Sequence, residues 1–335
     1  MIPKIELNIN ADWLKIENDF LSRLNLQSIC HVFVDTCATN LIHNLFEYYL
    51  KTEKDCVVLT TLQEHPSVLG QAVRILPVSI EQTISSLSIV NREEQINFFD
   101  INNLESIDNL IDVLKNTKKL FLYTKSCDYD TGRIYTNDYL KALKEKIYRI
   151  NPSIKIIHCL DACQELLIYN RDYSEYDYII GTAHAIVPGY DMGILVCNKN
   201  IPAFGYQITN WLKTYLLSFD ETMTNINLKE YKQTFVAKFL EFGNIPSIKI
   251  NKNSDNDNII SIQIPKCYFT HRLITLKDSL NCLTFCGYGF DGYHSEYTTI
   301  LFRITNAFVN KIKMMEILEL YRRVVDIIKT ENCLK

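Results

Sequence analysis

Polar side chains that could do chemistry cluster between residues 156 and 196, at points where apolar strand patterns stop. Asp161 and Gln164 follow the first predicted strand, and Thr182 and His184 follow the second. Together they offer a carboxylate, an amide, a hydroxyl and an imidazole, which can bind a polar ligand. Open α/β sheets bind ligands where strands end, so this stretch predicts a small-molecule site. Taken singly, Asp161 could instead cap a strand end, and His184 could be a packed turn residue.

Two earlier motifs have the same form, a polar turn directly after a predicted strand. Cys37, Ala38 and Thr39 follow a strand over Ile29–Asp35 and open a helix, where backbone N–H groups are presented to an anion. His65 follows a strand over residues 57–61 and supplies an aromatic ring that exchanges protons near neutral pH. The alternatives are an ordinary helix cap for the first motif and a capping or surface histidine for the second.

Three further motifs carry polar groups next to strand patterns. Ser126 and Asp128 begin a turn after a strand over Leu120–Lys125, and these residue types suit turn geometry equally well. Arg303 lies inside an apolar strand pattern, so it needs either a carboxylate ligand or a structural ion pair. Cys286 opens an aromatic-glycine loop, where a nucleophilic thiol has to be considered.

The elements that must position these residues alternate between strand and helix patterns. A clear amphipathic helix is predicted over Tyr135–Ile150, and the pattern turns helical again from Ala203. The remaining predicted elements are strands at Ile154–Cys159, Tyr176–Ile180, Gly193–Cys197, Ile245–Ile250, Ile259–Ile264 and Leu280–Phe285, and a closing helix at Lys311–Ile328.

The order of the motifs resembles the class V aminotransferase and cysteine desulfurase family, which are pyridoxal 5'-phosphate (PLP) enzymes of fold type I. The family pattern is an Asp-Ala-x-Gln block followed by a Ser/Thr-x-His-Lys block, and residues 161–164 and 182–184 fit these blocks. Ala185 stands where the family has its Schiff-base lysine. The resemblance covers roughly residues 30 to 328.

The resemblance implies a role for each motif residue. Asp161 would face the pyridine nitrogen, and His65 would stack over the pyridine ring. Gln164 would donate to the ring hydroxylate. The cofactor phosphate would be held by Thr182, His184 and the turn formed by Cys37, Ala38 and Thr39. On the substrate side, Arg303 would clamp the α-carboxylate, and Ser126 or Asp128 would face the ring and substrate.

The resemblance also implies the architecture. We expect an N-terminal segment (1–25), a large PLP-binding α/β domain (26–205), and a linking helix with a small α+β C-terminal domain (206–335). The large domain should hold a mainly parallel seven-stranded sheet. Family members are usually homodimers with sites at the interface, and we expect a homodimer here.

Ala185 has three explanations. The chain could be an engineered lysine-to-alanine variant that traps a substrate adduct. Alternatively, it could naturally lack the lysine and use PLP, or its amine form PMP, without a covalent link, with His184 as the proton carrier. The third explanation is a non-catalytic relative that binds a ligand or partner. The expected function is a PLP enzyme of the aminotransferase or lyase type, acting on an α-amino acid through an external aldimine and impaired by Ala185. A cysteine desulfurase that uses Cys286 is a further alternative.

The composition of the chain limits the kinds of molecule that this protein could bind. A net charge of −4 without a basic block argues against nucleic acid, and no apolar run is long enough to cross a membrane. No signal peptide pattern is visible at the N-terminus, and the eleven cysteines are scattered and form no CxxC pair. We therefore expect a cytoplasmic protein with reduced thiols and no metal site.

Overall fold

The structure is a computed structural model. It describes residues 11–26, 29–53, 55–61, 63–65, 67–68, 70, 96–128, 132–185, 191–223 and 228–241. Beyond these it describes residues 249–250, 259–265, 283–286, 297–303, 322–323, 326 and 330. The sequence also predicts a turn at Pro188 and Gly189 and a polar connection over residues 251–258, and both lie outside the described residues. Most of the predicted closing helix also lies outside them, although residues 322, 323 and 326 are helical.

Seven strands form the main sheet. They are β1 (Cys30–Asp35), β2 (Cys56–Thr61), β3 (Ile96–Phe99), β4 (Lys119–Lys125), β5 (Lys155–Asp161), β6 (Tyr178–Thr182) and β7 (Gly193–Asn198). Their spatial order is β1-β7-β6-β5-β4-β2-β3. The neighbours from β3 to β6 are parallel, and β7 runs antiparallel to both β6 and β1. This confirms the predicted α/β fold with a mainly parallel seven-stranded sheet.

The sequence pattern explains why these segments form the inner strands. They are nearly continuous apolar runs, as strands buried on both faces require. The prediction placed the second strand of the central stretch at Tyr176–Ile180, two residues too early. Thr182 belongs to β6 itself, because it pairs with Gly193 of β7 and extends the ladder.

The α-helices whose bounds the structure describes are α1 (Ala11–Arg23), α2 (Ala38–Glu47), α3 (Ile111–Asn116), α4 (Asn137–Ile150), α5 (Thr209–Met223) and α6 (Leu228–Glu241). Helices α1, α3, α4 and α5 share one hydrophobic cluster with the sheet, and α2 shares a second. Helix α4 starts two residues later than predicted, because the Thr136 side chain accepts a hydrogen bond from the Tyr139 N–H and caps the helix there. Tyr135 therefore precedes the helix.

Helix α1 was not predicted, and it closes one edge of the sheet. Glu17 accepts a hydrogen bond from the backbone N–H of Val32 at 2.8 Å, which satisfies a donor on edge strand β1. Trp13 and Phe20 of the same helix are buried in the core. Arg23 joins α1 to α5 through Asp220, with N–O distances of 2.5 and 2.9 Å.

A second, antiparallel sheet lies in the C-terminal part of the chain. Its strands are β8 (Lys249–Ile250), β9 (Ile259–Pro265), β10 (Leu283–Cys286) and β11 (Tyr297–Arg303), in the order β10-β11-β9-β8. Strands β8 and β9 lie within two predicted strands and pair antiparallel, with Ile250 opposite Ile262. Within the described ranges, no helix has the length and apolarity that a bilayer span requires.

Two motif residues lie on this sheet. Arg303 ends β11 and pairs with Ile259, as expected for a residue in a strand. Cys286 was predicted to open a loop, but it is the last residue of β10 and pairs with Thr299. Cys286 belongs to the strand because the whole apolar segment LTFC pairs with β11.

Gly193 allows the start of β7 to approach the turn before α2. A Cβ atom at this position would lie 2.5 Å from the backbone N of Ala38 and 2.5 Å from the carbonyl carbon of Cys37. Backbone atoms cannot move aside as a flexible side chain can, so the contact admits only glycine.

We expect Gly193→Ala to lower the free energy of unfolding by roughly 1–3 kcal/mol, as overpacking of a tight contact does. Urea denaturation followed by tryptophan fluorescence measures this change. Gly70→Ala is the matched control, because a Cβ atom there meets no heavy atom within 4 Å. Equal stability of the two variants would contradict the close approach.

Candidate functional site

A cleft of about 160 Å³ opens where the carboxyl ends of β2, β4, β5 and β6 meet the N-terminus of α2. All eight residues that the sequence assigned to cofactor binding line it: Cys37, Ala38, Thr39, His65, Asp161, Gln164, Thr182 and His184. The structure thus brings together residues that are up to 147 positions apart in the chain. Their convergence is observed, while their individual roles stay predictions.

The turn before α2 presents backbone donors to the cleft. Asp35 organises this turn by accepting hydrogen bonds from the Thr36 N–H at 2.6 Å and from the Asn40 amide at 3.0 Å. Cys37, at the N-cap, makes no capping hydrogen bond with its side chain. The first amides of a helix lack intrahelical partners, so this end of the cleft suits an anion.

Asp161 ends β5 and is held in place from two sides. Its Oδ2 accepts a hydrogen bond from the Tyr123 hydroxyl at 2.9 Å, and its Oδ1 accepts one from the Cys163 N–H at 2.9 Å. Tyr123 is fully buried, so it fixes the direction of the carboxylate. The carboxylate is partly exposed and lines the cleft, where it can meet a cationic N–H group.

Thr182 and His184 form a pair near the α2 end of the cleft. The Thr182 hydroxyl and the His184 Nδ1 are 2.8 Å apart. Asp191 lies 3.5 Å from the same Nδ1, and its side chain is largely exposed. A hydroxyl and an imidazole at this distance can bind one anion together.

His65 lies in the mouth of the cleft, after β2. Its Nδ1 accepts a hydrogen bond from the Ser67 N–H at 3.1 Å, which leaves the ring proton of the neutral imidazole on Nε2. This contact fixes the ring of an exposed histidine above the cleft.

Of the three predicted substrate residues, Ser126 and Asp128 are placed differently from the residues predicted to bind the cofactor. Ser126 is fully buried, and its N–H donates to the Asp161 carbonyl at 2.8 Å. Asp128 binds the Lys125 ammonium at 3.0 Å. Neither Ser126 nor Asp128 is among the residues that line the cleft. Arg303 is described only as a strand residue, and Ala185 only as the last residue of a short turn, Ala183–Ala185.

Two charged residues of the cleft wall were not assigned a role from the sequence. Glu64 is 1% exposed and Lys125 is 3% exposed on its side chain, and both line the cleft. The available signals were weak: Glu64 directly precedes His65, and Lys125 ends an otherwise apolar strand. The sequence did not assign Lys125 as a replacement for the lysine missing at position 185.

Burial changes the acidity of Glu64. Removal from water raises the pKa of its carboxyl group to about 8, and the nearby Lys125 ammonium opposes this rise. The negative charge of Asp161 raises the pKa further. Glu64 is therefore protonated at neutral pH in the folded protein and ionised in the unfolded chain.

This difference makes stability depend on pH. The pKa of Glu64 is about 8 in the folded protein and about 4.3 in the unfolded chain. Between these two pH values, Glu64 carries a proton in the folded protein but not in the unfolded chain. The free energy of unfolding should fall as pH rises from about 5 to 8, by about 1.4 kcal/mol per pH unit from Glu64. Glu64→Gln should remove this slope, as urea denaturation at several pH values can measure. Exposed Glu105→Gln is the control, and parallel curves for Glu64→Gln and wild type would contradict the assignment.

Comparison with solved structures identifies the fold. The NifS-like protein from Rickettsia africae has a TM-score of 0.69 at 13% identity, covering 94% of this chain and 88% of that one. Serine palmitoyltransferase from Sphingomonas wittichii has a TM-score of 0.62 at 11% identity, covering 97% and 79%. A lysine-to-alanine variant of serine palmitoyltransferase from S. paucimobilis, with bound PLP–myriocin aldimine, has a TM-score of 0.63 at 11% identity, covering 98% and 79%.

The sequence itself gives no such match. No family model matches this chain, and no curated protein matches it. The structural neighbours include PLP-bound proteins, and the seven-stranded sheet of this chain matches their fold type I architecture. At this identity the comparison shows the fold alone.

Proposed function

We propose that this chain binds PLP in the cleft and acts on an α-amino acid, as an enzyme of the aminotransferase or lyase type. The observation that supports this proposal is the convergence of the eight predicted cofactor residues in one cleft of a fold type I protein. Fold neighbours whose structures contain PLP support this choice of cofactor.

The residues present fit PLP at both ends of the molecule. The carboxylate of Asp161, held by Tyr123 and the Cys163 N–H, offers a fixed anion to a protonated ring nitrogen. The uncapped start of α2 offers backbone N–H groups to a phosphate, and the Thr182–His184 pair adds two further polar groups. When bound, PLP supplies an electron sink for the substrate's α-carbon.

Other residues of the chain would orient the cofactor and substrate. His65 would lie against one face of the ring, where its ring is held by Ser67. Gln164 would bind the ring hydroxyl group. Arg303 would bind the substrate carboxylate with its two parallel N–H groups. A homodimer of this chain is part of the proposal.

Ala185 carries no amine, so this chain would hold PLP by hydrogen bonds and ionic contacts. We expect borohydride treatment of the wild-type protein with PLP to leave the cofactor extractable after denaturation. Ala185→Lys should retain it covalently on residue 185, as mass spectrometry of the digested protein can measure.

The control for this experiment is the same variant without borohydride. A borohydride-stable label on the wild-type chain would contradict non-covalent binding. If neither protein takes up PLP, the proposed function is wrong.

Asp161→Asn should weaken PLP binding by about 10- to 100-fold, because a hydrogen bond to a charged group contributes about 1.5–3 kcal/mol. Equilibrium dialysis with PLP measures the dissociation constant. Asp138→Asn is the control, since Asp138 is exposed in the first turn of α4 and does not line the cleft. Unchanged affinity in Asp161→Asn would mean that the carboxylate does not contact the cofactor.

Ala185 also favours a second candidate, a non-catalytic binding protein that retains the cleft. Lys125 supports this candidate, because its ammonium is already occupied by the Gln63 carbonyl and Asp128. Binding of PLP without any reaction of amino acids would distinguish this candidate from the enzyme.

A further inference from the structure

We propose that Glu64 is the acid–base group of the cleft, which gives a proton to a bound ligand and takes one back, in a site where residue 185 is an alanine. The proposal rests on the proposed function for the identity of the ligand, an amino acid bound with PLP. The ionisation of Glu64 is a property of this chain's own residues.

The geometry leaves one oxygen of Glu64 available. Its Oε1 accepts a hydrogen bond from the Thr61 hydroxyl at 2.9 Å, which fixes the carboxyl group in the wall of the cleft. Its Oε2 is buried and has no hydrogen-bond partner among the residues that the structure describes. A buried polar atom without a partner costs about 1–3 kcal/mol, so a ligand that supplies one would bind favourably.

Lys125 allows Glu64 to lose its proton. The ammonium lies in the same wall, tied to the Gln63 carbonyl and to Asp128, and its charge favours the ionised carboxylate. Asp161 and Asp128 favour the protonated form. Among the described residues, the titratable groups whose charges interact with Glu64 are Lys125 and Tyr123 of β4, Asp128 after β4, Cys159 and Asp161 of β5, and Tyr135 before α4.

These opposing charges suit proton transfer near neutral pH. Burial places the pKa of Glu64 at about 8, and general acid–base groups are most effective when their pKa lies near the working pH. A second buried acid, Glu165, differs from Glu64 in its surroundings. It forms an ion pair with Arg171 and does not line the cleft.

The proton balance needs no further reagent. In one direction the O–H of the Glu64 carboxylic acid breaks, the proton moves to a basic atom of the ligand, and the carboxylate remains beside Lys125. In the other direction the carboxylate takes a proton from the α-carbon of the amino acid, and the electron pair of that C–H bond stays on the ligand.

Infrared spectroscopy tests the ionisation without any cofactor. The carbonyl stretch of a protonated carboxylic acid should be present at pH 6 and disappear with a midpoint near the pKa of Glu64. Subtraction of the Glu64→Gln spectrum isolates this band from those of Glu165 and Asp177, whose pKa values burial also raises. Absence of the band from the difference spectrum at pH 6 would overturn the proposal.

The two neighbours of Glu64 should move this midpoint in opposite directions. Lys125→Met removes the favourable cation and should raise it, whereas Asp128→Asn removes a repelling anion and should lower it. The shift should be larger for Lys125→Met, because Lys125 has a greater effect than Asp128 on the pKa of Glu64. Shifts of the same sign in both variants would contradict the coupling.

Exchange of the α-proton tests the role toward the ligand. The protein is incubated in D₂O with PLP and each common α-amino acid, and NMR follows loss of the α-proton signal. Glu64→Gln should slow exchange about 10²-fold or more while PLP affinity by dialysis is retained, and Glu64→Asp should restore part of the rate. The rate should rise with pH through the infrared midpoint.

The outcomes separate the two proposals. Exchange in Glu64→Gln at the wild-type rate would overturn the role of Glu64, and so would a PLP-bound wild type that exchanges no amino acid. A wild type that does not bind PLP would defeat the proposed function, and the infrared titration alone would then decide whether Glu64 exchanges its proton near neutral pH.

Discussion

The contact between Gly193 and the backbone of Cys37 and Ala38 is the constraint on which the cleft depends. Strand β1 pairs with β7 rather than with β2, so the turn after β1 reaches the cleft only because β7 begins directly beneath it. This contact sets the amides of α2 beside Thr182, which pairs with Gly193. One tight backbone approach thus joins the anion-binding end of the cleft to the central strands.

The two ends of the cleft favour ligand groups of opposite charge. At one end lie helix amides, a hydroxyl and an imidazole, which favour anions. At the other end lie Asp161 and Glu64, with Lys125 between the acids. A ligand with a phosphate at one end and a protonated nitrogen at the other would be oriented by charge before any shape-specific contact formed.

The sequence predicted four of the parallel strands, β2, β4, β5 and β6, because each is an apolar run that ends in a polar residue. It located Asp161, Thr182 and His184 for the same reason, since parallel strands present their carboxyl ends at one edge. It did not predict β3 (Ile96–Phe99), which is only four residues long and ends in Phe99. Helix α1 was missed because one of its partners, α5, lies far along the chain, with Arg23 and Asp220 separated by 197 positions. The role of Glu64 was missed because its pKa depends on Lys125, Asp161 and burial, which only the folded arrangement brings together.

The positions of the cysteine thiols allow ligand binding in the cleft to be detected by alkylation. Burial raises the pKa of Cys56 and of Cys197 to about 12, so at neutral pH these core thiols resist alkylating reagents. Cys37 and Cys163 are half-buried and line the cleft. Among the seven cysteines whose burial the structure describes, these two are the ones that are not buried, and a molecule bound in the cleft would shield their sulfur atoms. Occupancy of the cleft could thus be footprinted by cysteine protection, whatever the molecule proves to be.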